Sequence, residues 1–170
     1  MAVTPDGRRA VSASDDRTLK VWELESGREL QTLSGHAGWV HAATVTSGGQ
    51  RAVSASSDRT LKVWELESGR ELRTLCGHAR GVNAVAVTPD GQRAVSASFD
   101  CTLKVWELES GRELLTLSGH AAGVNAVAGR QMVSAQFPPR MIRRSRCGTW
   151  TAAASGRPSS AIWGLSWPWP

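Results

Sequence analysis

Serine, histidine and aspartate recur along this chain at one interval. His36, His78 and His120 stand 42 residues apart, and so do Asp16, Asp58 and Asp100, and Ser12, Ser54 and Ser96. These are the residue types of a nucleophile–base–acid triad, in which an imidazole takes the seryl proton and a carboxylate orients the ring. Acyl transfer of that kind needs one site, whereas equivalent copies in every unit argue for architecture. Buried polar groups normally satisfy one another's hydrogen bonds. A hydrolase is therefore the disfavoured reading, and the chain is expected to be non-catalytic. Cys76 and Cys101 replace a Ser and an Arg of sister copies, and no CxxC or CxxH pair occurs among the three cysteines. They read as drift rather than as a metal or redox centre, so neither a metal nor a cofactor is expected.

The elements that carry these residues repeat with them. Trp22, Trp64 and Trp106 keep the same spacing, and segments 2–42 and 86–126 differ at only 7 of 41 positions. Such closeness means tandem copies of one supersecondary unit. Within a unit, VNAVAVT alternates in polarity and then turns at TPDG, where Pro fixes φ and Gly supplies a positive φ. RAVSAS alternates again and ends at an Asp-containing turn. TLKVW is rich in the β-branched and aromatic residues that fit a pleated surface. LESG is the next turn, and RELQTL is a fourth strand closed by SGH. Four short strands in about 42 residues is the pattern of a propeller blade.

The array resembles the WD-repeat family. The residues that carry the likeness are Gly35-His36, Gly77-His78 and Gly119-His120, together with TLKVWE at 18–23, 60–65 and 102–107. The Trp-Asp of the family's signature is Trp-Glu here. The resemblance covers residues 2 to 128 and implies a β-propeller that serves as a rigid platform for protein partners. It also implies a hydrogen-bonded structural network in each unit. That network joins a His before the first strand, a Ser on the second, an Asp in the following turn and the Trp of the third. By match these are His36, Ser54, Asp58 and Trp64 in one unit and His78, Ser96, Asp100 and Trp106 in the next. The first unit has Ser12, Asp16 and Trp22 but no His ahead of them.

Near-identical copies show where the unit varies. Differences fall at 15/57/99 (Asp, Ser, Phe) and 17/59/101 (Arg, Arg, Cys), in the turn between second and third strands. They fall again at 38/80/122 (Gly, Arg, Ala), 39/81/123 (Trp, Gly, Gly) and 41/83/125 (His, Asn, Asn), just after the Gly-His turn. In a four-stranded antiparallel blade both turns emerge on one face. The opposite face, TPDG and LESGRE, departs only at Ser47-Gly48 and at Arg8. One reading is that the variable face contacts a partner, with Arg17, Trp39, Arg80 and Phe99 as anchors, because Trp and Arg dominate interface energies. The other is that these loops drift because nothing holds them.

Charge divides the chain. The formal charge is +5 overall, yet residues 1–128 hold all 15 acids and carry −1, while 129–170 hold six Arg and no acid. The basic balance is therefore no property of the array, and nucleic acid is not expected as a partner. No apolar run approaches the ~18 residues of a membrane-spanning helix, so no membrane partner is expected either. The N-terminus shows no basic-then-apolar leader, which leads to an expectation of cytoplasmic localisation.

The boundary has a genetic explanation. Residue 129 should be Val, as at Val3, Val45 and Val87, but it is Gly. Loss of one base from GTG ACG CCA gives GGA CGC CA, which opens Gly129-Arg130-Gln131. In the restored frame each residue joins the last base of one codon to the first two of the next. Six joins are fixed, because Met and Trp have single codons. Met132-Val133 and Trp163-Gly164 give Gly, Met141-Ile142 and Trp150-Thr151 give Asp, and Trp167-Pro168 and Trp169-Pro170 give Ala. Five equal a sister residue at a multiple of the period (Gly91, Gly38, Asp100, Ala126, Ala128), and the sixth puts Asp where Glu109 stands. Residues 129–170 are therefore expected to be an out-of-frame fourth unit, basic, Pro- and Trp-containing and disordered, that stops in a fifth. Met1 takes the place of Ala43 and Val85 in mid-strand, so the start is expected to be internal.

The expectation is an all-β fold with two parts, a repeat array at 1–128 and an irregular tail at 129–170. The array should hold about three four-stranded antiparallel blades in an incomplete ring. Three of the first unit's strands are expected near 2–33, four near 39–75, four near 81–117, and an orphan first strand near 123–128. The expected function is a protein-interaction scaffold, a fragment of a larger propeller, with an unidentified protein partner and self-association to complete the ring. The alternative is a decayed gene product with no function of its own.

Overall fold

A computed structural model describes residues 1–129. The expected tail therefore lies outside the described residues, apart from Gly129.

Twelve strands form three sheets, and each strand pairs antiparallel with its sequence neighbours. The first blade contains β1 (Ala2–Val3), β2 (Arg9–Ala13), β3 (Thr18–Glu23) and β4 (Glu29–Ser34). The second contains β5 (Val40–Val45), β6 (Arg51–Ser56), β7 (Thr60–Glu65) and β8 (Glu71–Cys76). The third contains β9 (Val82–Val87), β10 (Arg93–Ser98), β11 (Thr102–Glu107) and β12 (Glu113–Ser118). The described residues contain no helix, and the three blades do not close a ring.

Local chemistry sets these boundaries. In the first turn Gly7 has φ +69°, the Gly7 N–H reaches Thr4 O at 2.8 Å, and Asp6 Oδ1 accepts from the Arg8 N–H at 3.0 Å. That is the Asx-supported turn that TPDG implies. The second-to-third-strand turns end on Arg17, Arg59 and Cys101 at φ of 73°, 74° and 69°. This left-handed region costs a side-chain-bearing residue about 1–2 kcal/mol.

Two expectations are corrected. The first blade has a fourth strand, because Ala2 and Val3 pair with Val11 and Ala10. Residues 123–128 form no strand. Among the described residues no second strand of a fourth blade exists to pair with them, and a ladder needs a neighbour. The segment is held at its start by the Val124 N–H donating to Ser98 O at 2.9 Å.

The core lies between blades. Val11, Leu19, Val21 and Leu33 of the first blade pack on Ala43, Ala52, Trp64 and Leu66 of the second. Val53, Leu61, Val63 and Leu75 of the second pack in the same way on Val85, Ala94, Trp106 and Leu108 of the third. Each fully buried side chain of this size contributes about 1.5–3 kcal/mol. The outer faces lack that cover. Leu33 and Leu75 are 0 % and 1 % exposed, but Leu117 is 42 %. Leu66 and Leu108 are 2 % exposed, but Leu24 is 48 %.

Candidate functional site

The recurring polar residues meet across the blade boundary. His36 lies on the link from β4 to β5. Its Nδ1 is 2.7 Å from Asp58 Oδ2, and its Nε2 is 2.7 Å from Ser54 Oγ. Trp64 Nε1–H donates to the same Ser54 Oγ at 2.9 Å. Asp58 Oδ2 also accepts from the Ala37 N–H at 3.0 Å, and Oδ1 accepts from the Thr60 N–H and hydroxyl at 3.0 and 2.7 Å. These partners define the protonation pattern. A carboxylate facing Nδ1 puts the proton there, so Nε2 accepts from the Ser54 hydroxyl. His78, Ser96, Asp100 and Trp106 repeat the arrangement with 2.7, 2.7 and 2.9 Å contacts.

Burial dominates the electrostatics. It pushes the His36 imidazole below its ordinary pKa, against the pull of the Asp58 carboxylate. It also works to raise the pKa of Asp58, but hydrogen bonds from Thr60 and His36 outweigh it and hold the carboxyl below the usual range. In Asp100 burial is likewise overcome, by donors from Thr102, His78 and the Ala79 N–H, and the carboxyl is held well below the usual range.

The connectivity is that of a catalytic triad, but its surroundings are not. Ser54 and Ser96 are 0 % exposed. A substrate carbonyl cannot reach Oγ, and the indole N–H occupies one of its acceptor positions. The first blade has the acceptor half alone. Trp22 Nε1–H donates to Ser12 Oγ at 2.9 Å, while Asp16 is exposed and accepts from the Thr18 N–H and hydroxyl. Trp22 is half-buried, whereas Trp64 and Trp106 are 1 % exposed.

A second repeated group was not singled out from the sequence. Lys62 Nζ lies 2.7 Å from Glu71 Oε2 and 2.9 Å from Thr74 Oγ1, and the Thr74 hydroxyl also reaches Glu71. Lys104, Glu113 and Thr116 repeat it, and Lys20 pairs with Glu29. Recurrence at the period was the available signal.

The four residues expected as anchors from the sequence are all exposed: Arg17 on the β2–β3 turn, Trp39 on the β4–β5 link, Arg80 on the β8–β9 link and Phe99 on the β10–β11 turn. The loops of Trp39, Arg80 and Phe99 form a continuous line through the β6–β7 turn, where the Ser57 N–H donates to Trp39 O at 2.9 Å. A Cβ on Gly81 would lie 3.1 Å from Ser57 Cα and 3.6 Å from the Phe99 ring, and one on Gly123 would lie 3.0 Å from that ring. Hydroxyls fix the line from beneath, as Ser56 Oγ donates to Gly38 O and Ser98 Oγ donates to Gly81 O.

Successive four-stranded antiparallel blades, locked across their boundaries by buried polar groups, define a β-propeller-type repeat array. The WD domain, G-beta repeat family matches residues 1–23, 27–65 and 69–107. The chain belongs to the WD-repeat family. Over 42 residues it is 43 % identical to the probable serine/threonine-protein kinase PkwA of Thermomonospora curvata, a stretch that spans 25 % of this chain and 6 % of that protein. It is also similar to the solved structure of U3-55K, at a TM-score of 0.69 and 30 % identity, over 71 % of this chain and 39 % of that one. The chain thus spans well under two thirds of the length of either.

Proposed function

We propose that the chain is a non-catalytic scaffold that binds a protein partner through the loop face carrying Arg17, Trp39, Arg80 and Phe99. The observation that carries this reading is the exposure of two large aromatic side chains, Trp39 at 57 % and Phe99 at 47 %, on the β4–β5 link and the β10–β11 turn, in a run of loops whose backbones are held by hydroxyls. Aromatic and Arg anchors on a rigid frame lose little conformational entropy on binding. Family membership supports a protein partner, because propellers of this kind present loops to other proteins. The free thiols Cys76 and Cys101 suit a reducing compartment, and we place the chain in the cytoplasm. The test is a pull-down with the full chain and with Trp39→Ala/Arg80→Ala. Loss of specific partners at unchanged thermal stability is expected, and retention of every partner refutes the face.

Two further parts belong to the proposal. The uncovered apolar faces of the first and third blades support association between copies of the chain, as in a fragment of a larger ring. The second part is the alternative that the chain is the product of a decayed gene, and the six fixed codon joins favour it. The gene's DNA should encode further units once the frame is restored, and a DNA sequence without them refutes a frameshift.

A further inference from the structure

We propose that His120 of one copy completes, in a second copy, the polar network that the first blade lacks, and that two chains close head to tail into a six-bladed ring. The inference rests on the self-association just proposed and assigns its contacts.

The two complete networks are built across a boundary. The link leaving one blade supplies the His, and the next blade supplies Ser, Asp and Trp. His120 sits on the link leaving the third blade and is exposed. Among the described residues of its own chain it has no such partners, and positions 138 and 142, one period past Ser96 and Asp100, are Pro138 and Ile142 in the sequence. The first blade holds the other half, with Ser12 bonded to Trp22 and with Asp16 exposed. Among the described residues, one end of the array carries a His without acceptors, and the other carries acceptors without a His.

Glycine contacts make the same point independently. A Cβ on Gly35 or Gly77 would lie 3.2 or 3.0 Å from the Trp64 or Trp106 ring, but one on Gly119 meets nothing. A Cβ on Gly69 or Gly111 would lie 3.4 or 3.3 Å from Leu33 or Leu75, but one on Gly27 meets nothing. Each close approach made twice within the chain is therefore present a third time as two separated halves. Gly119 is placed to meet Trp22 of the next copy, and Leu117 to meet its Gly27.

The strand edge agrees. β1 covers only Val11 and Ala10 of β2, whereas β5 and β9 each pair with five residues of their neighbour. By that register Val124–Val127 of one copy takes the uncovered edge at Ser12–Ser14 of the next, ahead of its Ala2. The strand line beyond Val127 is occupied by Ala2 and Val3 of that next copy. Propellers close with about 4–8 blades. The described residues hold three blades, and two copies of them give six, within that range.

The experiment is sedimentation equilibrium of the full chain, unaltered and as His120→Ala, Asp16→Asn and the double variant. Asn keeps Oδ1 as acceptor for Thr18, so the turn survives, and exposed His120 makes no hydrogen bond among the described residues. The unaltered chain should sediment as a dimer. Each single change removes the contact at both seams of the ring, so it should weaken the dimer about a hundredfold to ten-thousandfold, twice in free energy the range for one hydrogen bond to a charged group. The double change should cost no more than the larger single one. Thermal unfolding of dilute, monomeric His120→Ala should match the unaltered chain. A monomer at every concentration overturns the self-association itself. A dimer indifferent to His120→Ala overturns the shared network while leaving association standing. Open oligomers longer than two overturn the closed ring.

Discussion

Removing the His36 imidazole tests the buried network directly. His36→Ala deletes two 2.7 Å hydrogen bonds from a site where the side chain is 0 % exposed. Each bond is worth about 1 kcal/mol net, and a buried hydroxyl left without its acceptor costs about 1–3 kcal/mol more. Ser54 is that hydroxyl; it is fully buried and keeps only the Lys62 carbonyl, at 3.4 Å, so the lower part of that penalty, about 1–2 kcal/mol, applies. Asp58 is not orphaned, because the Ala37 and Thr60 donors remain. The loss should total about 3–4 kcal/mol, against a whole-domain stability of about 5–15 kcal/mol. At about 4 °C per kcal/mol for an array of this size, the melting midpoint should fall by about 12–16 °C. Circular dichroism melts of His36→Ala, Ser54→Ala and the double variant provide the assay. The cycle should show a coupling of about 1–2 kcal/mol, because the second change removes the group that the first leaves with only the long contact to Lys62 O. A loss under about 1 kcal/mol for His36→Ala, or strict additivity, would refute the reasoning.

Other outcomes follow from the same structure. Burial lowers the His36 pKa in the folded chain, so between its ordinary and folded values the unfolded chain binds more protons. Stability from this group is complete above about pH 6.5 and declines as pH falls below it, a slope that His36→Gln should flatten in melts against pH. Asp58 and Asp100 are depressed carboxyls, so their contribution is present above about pH 4 and is lost as the solution is acidified further. Gly48→Asp should restore the turn that the sister blades have, since a Cβ there meets nothing, and should stabilise the chain by about 0.5–1 kcal/mol in urea unfolding. Cys101→Gly should relieve the φ of 69° for a net gain of about 0.5 kcal/mol by the same assay.

The strands were legible because propensity and period agree in them. TLKVWE alternates, carries Thr, Val and Trp, and is bounded by turns, and β3, β7 and β11 occupy those six residues each time. The polar network was legible only through the family resemblance and the shared period, since its members lie on different blades. The Lys62–Glu71–Thr74 group was not legible, because it depends on strand register. The register of β7 and β8 shifts between Val63 and Trp64, and no sequence spacing announces that shift. Burial of the blade faces was hidden for a different reason. Leu33 and Leu117 sit in nearly identical strands, ELQTLS and ELLTLS, yet one is 0 % and the other 42 % exposed. The difference is set by the neighbouring blade rather than by the residue. The short β1 and the unpaired 123–128 segment follow the same rule, since a strand exists where a partner offers its edge.

The central claim is that the recurring Ser, His and Asp form buried architectural networks. The most direct measurement is the imidazole N–H region of the proton–nitrogen NMR spectrum of the dilute chain. A buried Nδ1–H bonded to a carboxylate is shielded from solvent and exchanges slowly. Two such resonances are expected, from His36 and His78, with His41 and exposed His120 exchanging fast. Four fast-exchanging histidines would contradict the claim.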